Sequence, residues 1–185
     1  MKIAVATLLF LSLTMQASAE APSHAPGEHS PYAGRQRQEL GALTDAQLDD
    51  LRVGRGMSFA LPAELNGYPG PSHVLELAEG LELTPAQRRR TEALFAEMQA
   101  EAVRLGERLI DSERALEALF ADGRAEPQSV MRATTEAARL RGELRATHLT
   151  YHLEMKQVLT AAQVARYSHL RGYGRDHDSR SGFTK

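Results

Sequence analysis

The distribution of apolar residues predicts two long helices in the second half of the chain. Over residues 85–121 the only glycine is Gly106, and apolar residues recur at steps of three, four or seven. This spacing averages near 3.5 residues, which is typical of the seam between packed helices. After a turn at residues 122–124, a second apolar stripe covers residues 127–159. The pattern predicts a helical hairpin whose first helix is roughly 55 Å long at 1.5 Å per residue.

The second helix has more apolar surface than a hairpin can bury. Leu149 and Leu153 fall on a different side from its main apolar face. An early helix, a last helix at residues 161–170 or a second protomer has to cover them. We therefore expect an all-α fold, an elongated helical hairpin with short flanking helices, assembled as a homodimer. The main face consists of Ala133, Ala137, Leu140, Leu144, Tyr151, Met155 and Val158.

Shorter elements precede the hairpin. Thr44 and Gln47 have the spacing of a capping box and predict a helix that continues through Leu51. Prolines and glycines at residues 54–71 predict an irregular segment. A short helix is expected at residues 72–79.

The N-terminal segment resembles an export signal rather than part of the fold. Lys2 precedes an apolar run at residues 3–15, and the small residues 17–19 suit a signal peptidase. The run is shorter than the ~20 residues that span a bilayer as a helix. We expect cleavage after Ala19 and a periplasmic protein; the alternative is a retained N-terminal anchor.

The domain boundaries follow from composition. Residues 20–37 contain prolines, glycines and almost no apolar side chains, which predicts a flexible leader. Residues 172–185 have the composition of a disordered tail. The folded α-helical domain is expected at residues 38–171.

Composition also excludes several function classes. The 22 Lys and Arg residues nearly balance the 24 Asp and Glu residues, and a net charge of -2 gives no reason to expect nucleic-acid binding. Cysteine is absent, so disulfides, thiolate metal sites and cysteine nucleophiles are excluded. The chain contains no GxSxG, HExxH or P-loop sequence. We do not expect an enzyme.

Three segments share the pattern of a leucine followed by a threonine N-cap and a glutamine three positions later. Two of them bracket the predicted hairpin: Leu83, Thr84 and Gln87 at its start, and Leu159, Thr160 and Gln163 at its end. With these two copies, residues 83–171 resemble the LTxxQ-motif proteins, the Spy/CpxP family of periplasmic chaperones and their heavy-metal-responsive relatives. Residues 54–73 are not part of that family pattern.

The resemblance implies a cradle-shaped α-helical dimer that binds unfolded clients in the envelope stress response without ATP. The implied partners are unfolded periplasmic proteins or a membrane-bound stress sensor. Apolar and charged residues alternate on the first long helix and suit such a surface. The alternative is a solvated charged face beside an ordinary seam. The candidate client-binding residues are Arg89, Leu94, Phe95, Met98 and Arg104.

A second candidate site lies on the second long helix, where His148 and His152 are one turn apart. If the hairpin pairs about its predicted turn, these rings face Glu101 and Glu97. Two imidazoles and a carboxylate suit Zn²⁺, Ni²⁺, Co²⁺ or Cu²⁺, so a heavy-metal sensor or resistance protein is the alternative function. Ordinary hydrogen bonding to the glutamates, or a response to acid near pH 6–7, would explain the pair without a metal.

Overall fold

The computed structural model describes residues 30, 32–35 and 38–173, and six α-helices make up its regular structure. The described residues contain no β-strand, so the all-α prediction is confirmed. Contacts divide the chain into residues 1–33 and 34–185, and all six helices belong to the second unit. The predicted signal peptide, most of the leader and most of the tail lie outside the described residues. The helices are α1 (Asp45–Arg52), α2 (Leu61–Glu64), α3 (Pro71–Glu76), α4 (Pro85–Ala121), α5 (Pro127–Val158) and α6 (Ala161–Leu170).

The predicted hairpin is present with nearly the expected bounds. Helix α4 has 37 residues and α5 has 32, and the two pack along their length. The loop between them turns at Gly123, whose φ of 65° is accessible to glycine at little cost. All three predicted capping boxes form, at Thr44, Thr84 and Thr160, each with its glutamine three residues on.

One hydrophobic cluster forms where α1 packs on the middle of the hairpin. We call it the first cluster. Helix α1 comes close to α4 because the backbone of Leu51 lies against Gly106, which has no side chain. The buried members of the first cluster are Leu40, Leu43, Leu48, Leu51, Ala102, Leu105, Leu109, Ile110, Ala137, Leu140 and Leu144.

The second cluster lies where the hairpin begins and ends along the chain. There α3 and α6 pack on the start of α4 and the end of α5, around the fully buried ring of Tyr167. Its buried members are Val74, Leu81, Leu94, Met155, Leu159 and Tyr167. The two clusters together bury the seam over most of the hairpin, but not at its far end.

Two local predictions need correction. The segment at residues 54–71 is not irregular throughout, because α2 forms with Pro62 in its first turn, where a proline costs no hydrogen bond. Helix α3 begins at Pro71 and ends at Glu76, three residues earlier than expected.

The extra apolar side of α5 remains partly uncovered within one chain. Leu153 is 53% exposed, and the buried positions between Leu144 and Met155 are occupied by two histidines. The predicted homodimer, which would cover this side, stays a prediction.

Candidate functional site

The candidate site is a pocket in the layer between the two hydrophobic clusters. Here the buried face of α5 carries His148 and His152 instead of apolar residues. The pocket has a volume of about 640 Å³. Its walls come from residues 53–73, from Phe95, Met98 and Gln99 of α4, and from Arg171 and Tyr173 after α6. The lining combines apolar side chains with several polar ones, and polar groups that converge in a pocket are typical of a ligand site.

A buried carboxylate, that of Glu64, anchors the polar side of this pocket. Its side chain is 7% exposed. The Tyr167 hydroxyl donates a short hydrogen bond to Glu64 Oε1, and the Tyr173 hydroxyl donates one of 3.2 Å to the same oxygen. His73 Nδ1 and Arg171 Nε each lie 3.3 Å from that oxygen. Four groups from α3, α6 and the C-terminal segment therefore converge on one oxygen of Glu64.

This environment keeps Glu64 ionised. Burial raises the pKa of the carboxyl, but the contacts with His73 and Tyr167 and the charges of His73 and His152 outweigh it and lower the pKa to about 2. The pKa of Tyr167 is raised by burial and by its hydrogen bond to Glu64, so its hydroxyl stays a donor. The cluster joins α2 to α6 through a charge-assisted hydrogen bond.

His152 joins the same cluster from α5. Its Nδ1 donates a 2.6 Å hydrogen bond to the carbonyl of Tyr68 and lies 3.8 Å from Glu64 Oε2. Burial is the largest influence on its pKa and lowers it. Gly70 packs against the ring, since a Cβ there would lie 2.8 Å from Nε2. Only glycine allows the chain to pass this close.

His148, one turn earlier, is 2% exposed, and its Nε2 has no hydrogen-bond partner in the described part of the chain. Its ring lies 6.2 Å from that of Phe59, centroid to centroid. Burial, followed by the charge of His152, lowers the pKa of His148 to about 4. The ring is therefore neutral near pH 7 and retains an unused polar atom.

Acidification from pH 7 to pH 4 is expected to destabilise the fold by about 3 kcal/mol through His148. Below the ordinary pKa of 6.5 the unfolded chain gains a proton at this histidine, whereas the folded chain does so only near pH 4. Stability is therefore full above pH 6.5 and falls as the pH approaches 4. Urea unfolding at several pH values should show this loss, and His148→Phe should remove it.

The exposed His169 provides a matched control for this experiment. His169→Phe should keep the wild-type pH dependence. Glu64 affects stability in a lower pH range than His148 does. The ionised Glu64 stabilises the fold above pH 4.5, and this stabilisation is lost as the pH falls toward 2. An equal loss between pH 7 and 4 in wild type and His148→Phe would contradict the assignment to His148.

The predicted metal set is not brought together. His148 and His152 lie on the pocket, but Glu97 and Glu101 lie on another face of α4, where their charges act on Tyr151. Glu101 forms an ion pair with Arg104. The described residues contain no group of three or more His, Asp or Glu that could hold a metal ion. The proposed pairing fails because those glutamates point at least about 60° around the α4 axis away from Met98 and Gln99, which face the pocket.

The predicted client-binding residues also separate. Leu94 and Met98 are buried, so neither belongs to an open surface of this chain. Phe95 is half-buried and lines the pocket, while Arg89 and Arg104 are exposed. The apolar spacing of α4 places Leu94 and Met98 on the seam face, and the structure buries them there.

Sequence reasoning missed the centre of this site. Glu64 is a single acidic residue in a segment rich in proline and glycine, and its partners Tyr167 and Arg171 are more than 100 residues away. His73 lies in the six-residue helix α3 and has no ligand spacing to another histidine. No local spacing links these residues, because the fold alone brings them together.

The two LTxxQ motifs, in contrast, meet as a pair. The Gln87 side chain accepts a hydrogen bond from the N-cap of its own helix and donates to Gln163 Oε1 at 2.8 Å and to the Val158 carbonyl at 3.0 Å. The Gln163 side chain in turn donates to Gln87 Oε1 and to the Leu81 carbonyl. A glutamate could cap the helix but could not donate across the gap. The glutamine therefore serves as both a cap and a cross-link.

No helix of the described residues is long and apolar enough to cross a membrane. Comparisons of the chain with family models, with curated proteins and with solved structures found no match.

Proposed function

We propose that this protein is a periplasmic, ATP-independent chaperone that binds unfolded clients on the far end of its helical hairpin. The observation that carries the proposal is a stretch without any buried residue, from Asp111 to Glu136. We call this stretch the arm. None of its apolar side chains is buried, so part of their surface faces water.

The arm displays the two most exposed large apolar side chains of residues 38–173. Met131 is 68% exposed and Phe120 is 60% exposed. Leu116, Leu119 and Val130 are half-buried beside them. A contiguous apolar patch built from such side chains would mark a site of protein interaction.

Charges of both signs surround these side chains. Asp122 and Arg124 form an exposed ion pair at the loop, and Glu117, Glu126 and Arg132 are exposed nearby. Apolar contacts mixed with charges favour weak, reversible binding of many sequences, because no single deep pocket dominates the affinity. Such a surface suits a chaperone that releases its clients without nucleotide hydrolysis. The paired LTxxQ motifs support the same proposal, since the resemblance to the Spy/CpxP family rests on them.

Suppression of aggregation tests the proposal directly. Wild-type protein should keep a chemically unfolded client, such as reduced α-lactalbumin, in solution in the absence of ATP. In Phe120→Ser/Met131→Ser, about tenfold more protein should be needed for equal protection, since each side chain contributes more than 1 kcal/mol when it is buried against a client.

Leu65 offers a matched control, because it is 50% exposed but lies outside the hairpin. Leu65→Ser should protect the client as well as wild type does. Absence of protection by the wild-type protein would overturn the chaperone proposal. Equal protection by the arm variant and wild type would overturn the assignment of the surface to the arm.

The proposed assembly is a homodimer, and a membrane-bound stress sensor is a proposed partner. The uncovered side chain of Leu153 supports a second copy on that side of α5. Light scattering of the protein at micromolar concentration should give twice the mass of one chain. A monomeric mass would overturn the dimer but not the chaperone activity.

A further inference from the structure

The pocket around Glu64 has no role in the proposed client binding, since it lies away from the arm. The polar atoms of the pocket differ in how many partners they have. All the donors of the cluster, from Tyr167, Tyr173, His73 and Arg171, lie at Glu64 Oε1. Arg171 is further engaged, because its Nη2 lies 3.4 Å from His73 Nε2 and donates to the Tyr173 hydroxyl at 3.2 Å. Arg171 Nε and His73 Nδ1 make no aligned hydrogen bond, but both lie within 3.3 Å of Glu64 Oε1, so these donors already face a carboxylate oxygen.

Two further buried atoms of the pocket have no hydrogen-bond donor near them in the described part of the chain. Glu64 Oε2 and His148 Nε2 are both buried and make no hydrogen bond among the described residues. His152 uses Nδ1 as its donor to Tyr68, which makes Nε2 of the neutral ring an acceptor. The three side chains form a continuous row along the pocket, since His148 and His152 are one turn apart and His152 is 3.8 Å from Glu64.

A second observation points to the same pocket. Met57 and Ser58 both line it and both have positive φ values, 42° and 63°. Non-glycine residues seldom adopt this conformation, and strain of this kind is concentrated at binding sites. Burying an ionised carboxylate oxygen and an imidazole nitrogen without partners is also costly. A ligand that donates hydrogen bonds would relieve that cost.

We propose that the pocket binds a small organic cation, a primary ammonium group attached to an apolar body. An ammonium group carries three donors and a positive charge, which match Glu64 Oε2, His152 Nε2 and the neutral His148 ring, whose Nε2 accepts in one of its two tautomers. Phe95, Met98 and Met57 supply the apolar walls for the rest of the molecule. An anion does not fit, because it would meet Glu64 while Arg171 is already engaged.

Calorimetric titration of the full chain with 2-phenylethylamine at pH 7.5 tests this proposal. The expected dissociation constant is about 1 mM or tighter. The neutral analogue 2-phenylethanol should bind at least about tenfold more weakly, because it lacks the charge and two of the donors. Glu64→Gln should weaken amine binding by a similar factor, since it removes the charge while keeping the shape.

His148→Phe is a second variant that keeps the test valid if Glu64→Gln fails to fold. It removes a nitrogen that makes no hydrogen bond among the described residues, so we expect the fold to be retained. It should weaken amine binding about tenfold or more, whereas His169→Phe should bind as wild type does. Far-ultraviolet circular dichroism checks the fold of each variant.

Three results would overturn the proposal. The first is equal binding of the amine and the alcohol, and the second is unchanged amine affinity in a folded His148→Phe variant. The third is binding of Zn²⁺ alone, added to chelator-treated protein, with no binding of the amine, which would assign the unused acceptors to a metal ion. None of these results bears on client protection by the arm.

Discussion

Gly106→Ala is expected to destabilise the protein by about 2–3 kcal/mol, although alanine is the better helix former. A Cβ at this position would lie 2.4 Å from the Leu51 carbonyl oxygen and 3.0 Å from its carbonyl carbon. Those atoms are backbone, so no side-chain rotation can relieve the overlap. Helix α1 would have to move away from α4, which would open the first cluster. Urea unfolding at pH 7.5 measures the change in the free energy of unfolding.

Gly142 in the middle of α5 is the matched control. Nothing lies within 4 Å of a Cβ built there, and the residue is exposed. Gly142→Ala should therefore stabilise the protein by up to about 1 kcal/mol, the ordinary difference in helix propensity. Stabilisation by both substitutions would show that α1 does not approach α4 as closely as described.

Tyr167→Phe is expected to cost about 2–3 kcal/mol, because it removes one hydroxyl from a buried charged network. The ring of Tyr167 is fully buried and phenylalanine fills the same space, so the loss comes from the hydrogen bond to ionised Glu64. Without this donor the carboxylate is less well satisfied, and the pKa of Glu64 should rise. The acid-induced loss of stability that Glu64 causes should still begin near pH 4.5, as in wild type, but it should be smaller and should end at a higher pH.

Tyr68→Phe provides the comparison. Its ring packs under the Lys156 ammonium group at 3.7 Å, and its hydroxyl makes no hydrogen bond within the described residues. This variant should unfold within about 0.5 kcal/mol of wild type. Equal stabilities of Tyr167→Phe and wild type would mean that the hydroxyl and Glu64 do not form the bond described here.

Local sequence was sufficient to predict the helices of the hairpin. Proline in the first turn and threonine with glutamine in a capping box act within a single turn, and they place the start of α4 at Pro85 and that of α6 at Ala161. The glycine at residue 123 ends α4 for an equally local reason. Periodicity then predicted the seam, including Leu105, Leu109 and Leu140, because residues on one helix face share the same environment.

The candidate site could not be predicted in this way. Its carboxylate comes from a four-residue helix, its tyrosine donor from α6 and its histidines from α5. The hairpin prediction paired the two α5 histidines with Glu97 and Glu101. In the structure, the face of α4 that is turned toward the pocket carries Met98 and Gln99 instead. A spacing of three or four residues indicates which side chains share a face, and it does not indicate what that face meets.

Sequence was therefore enough to determine the helices, their caps and the all-α class, because these depend on interactions between residues a few positions apart. The tertiary structure decided that Gly106 admits α1, that the LTxxQ glutamines cross-link, and that Glu64 is buried beside Tyr167. It also decided that Phe120 and Met131 are exposed. These outcomes depend on how distant segments pack, and burial and hydrogen bonding between them follow from that packing rather than from any local pattern.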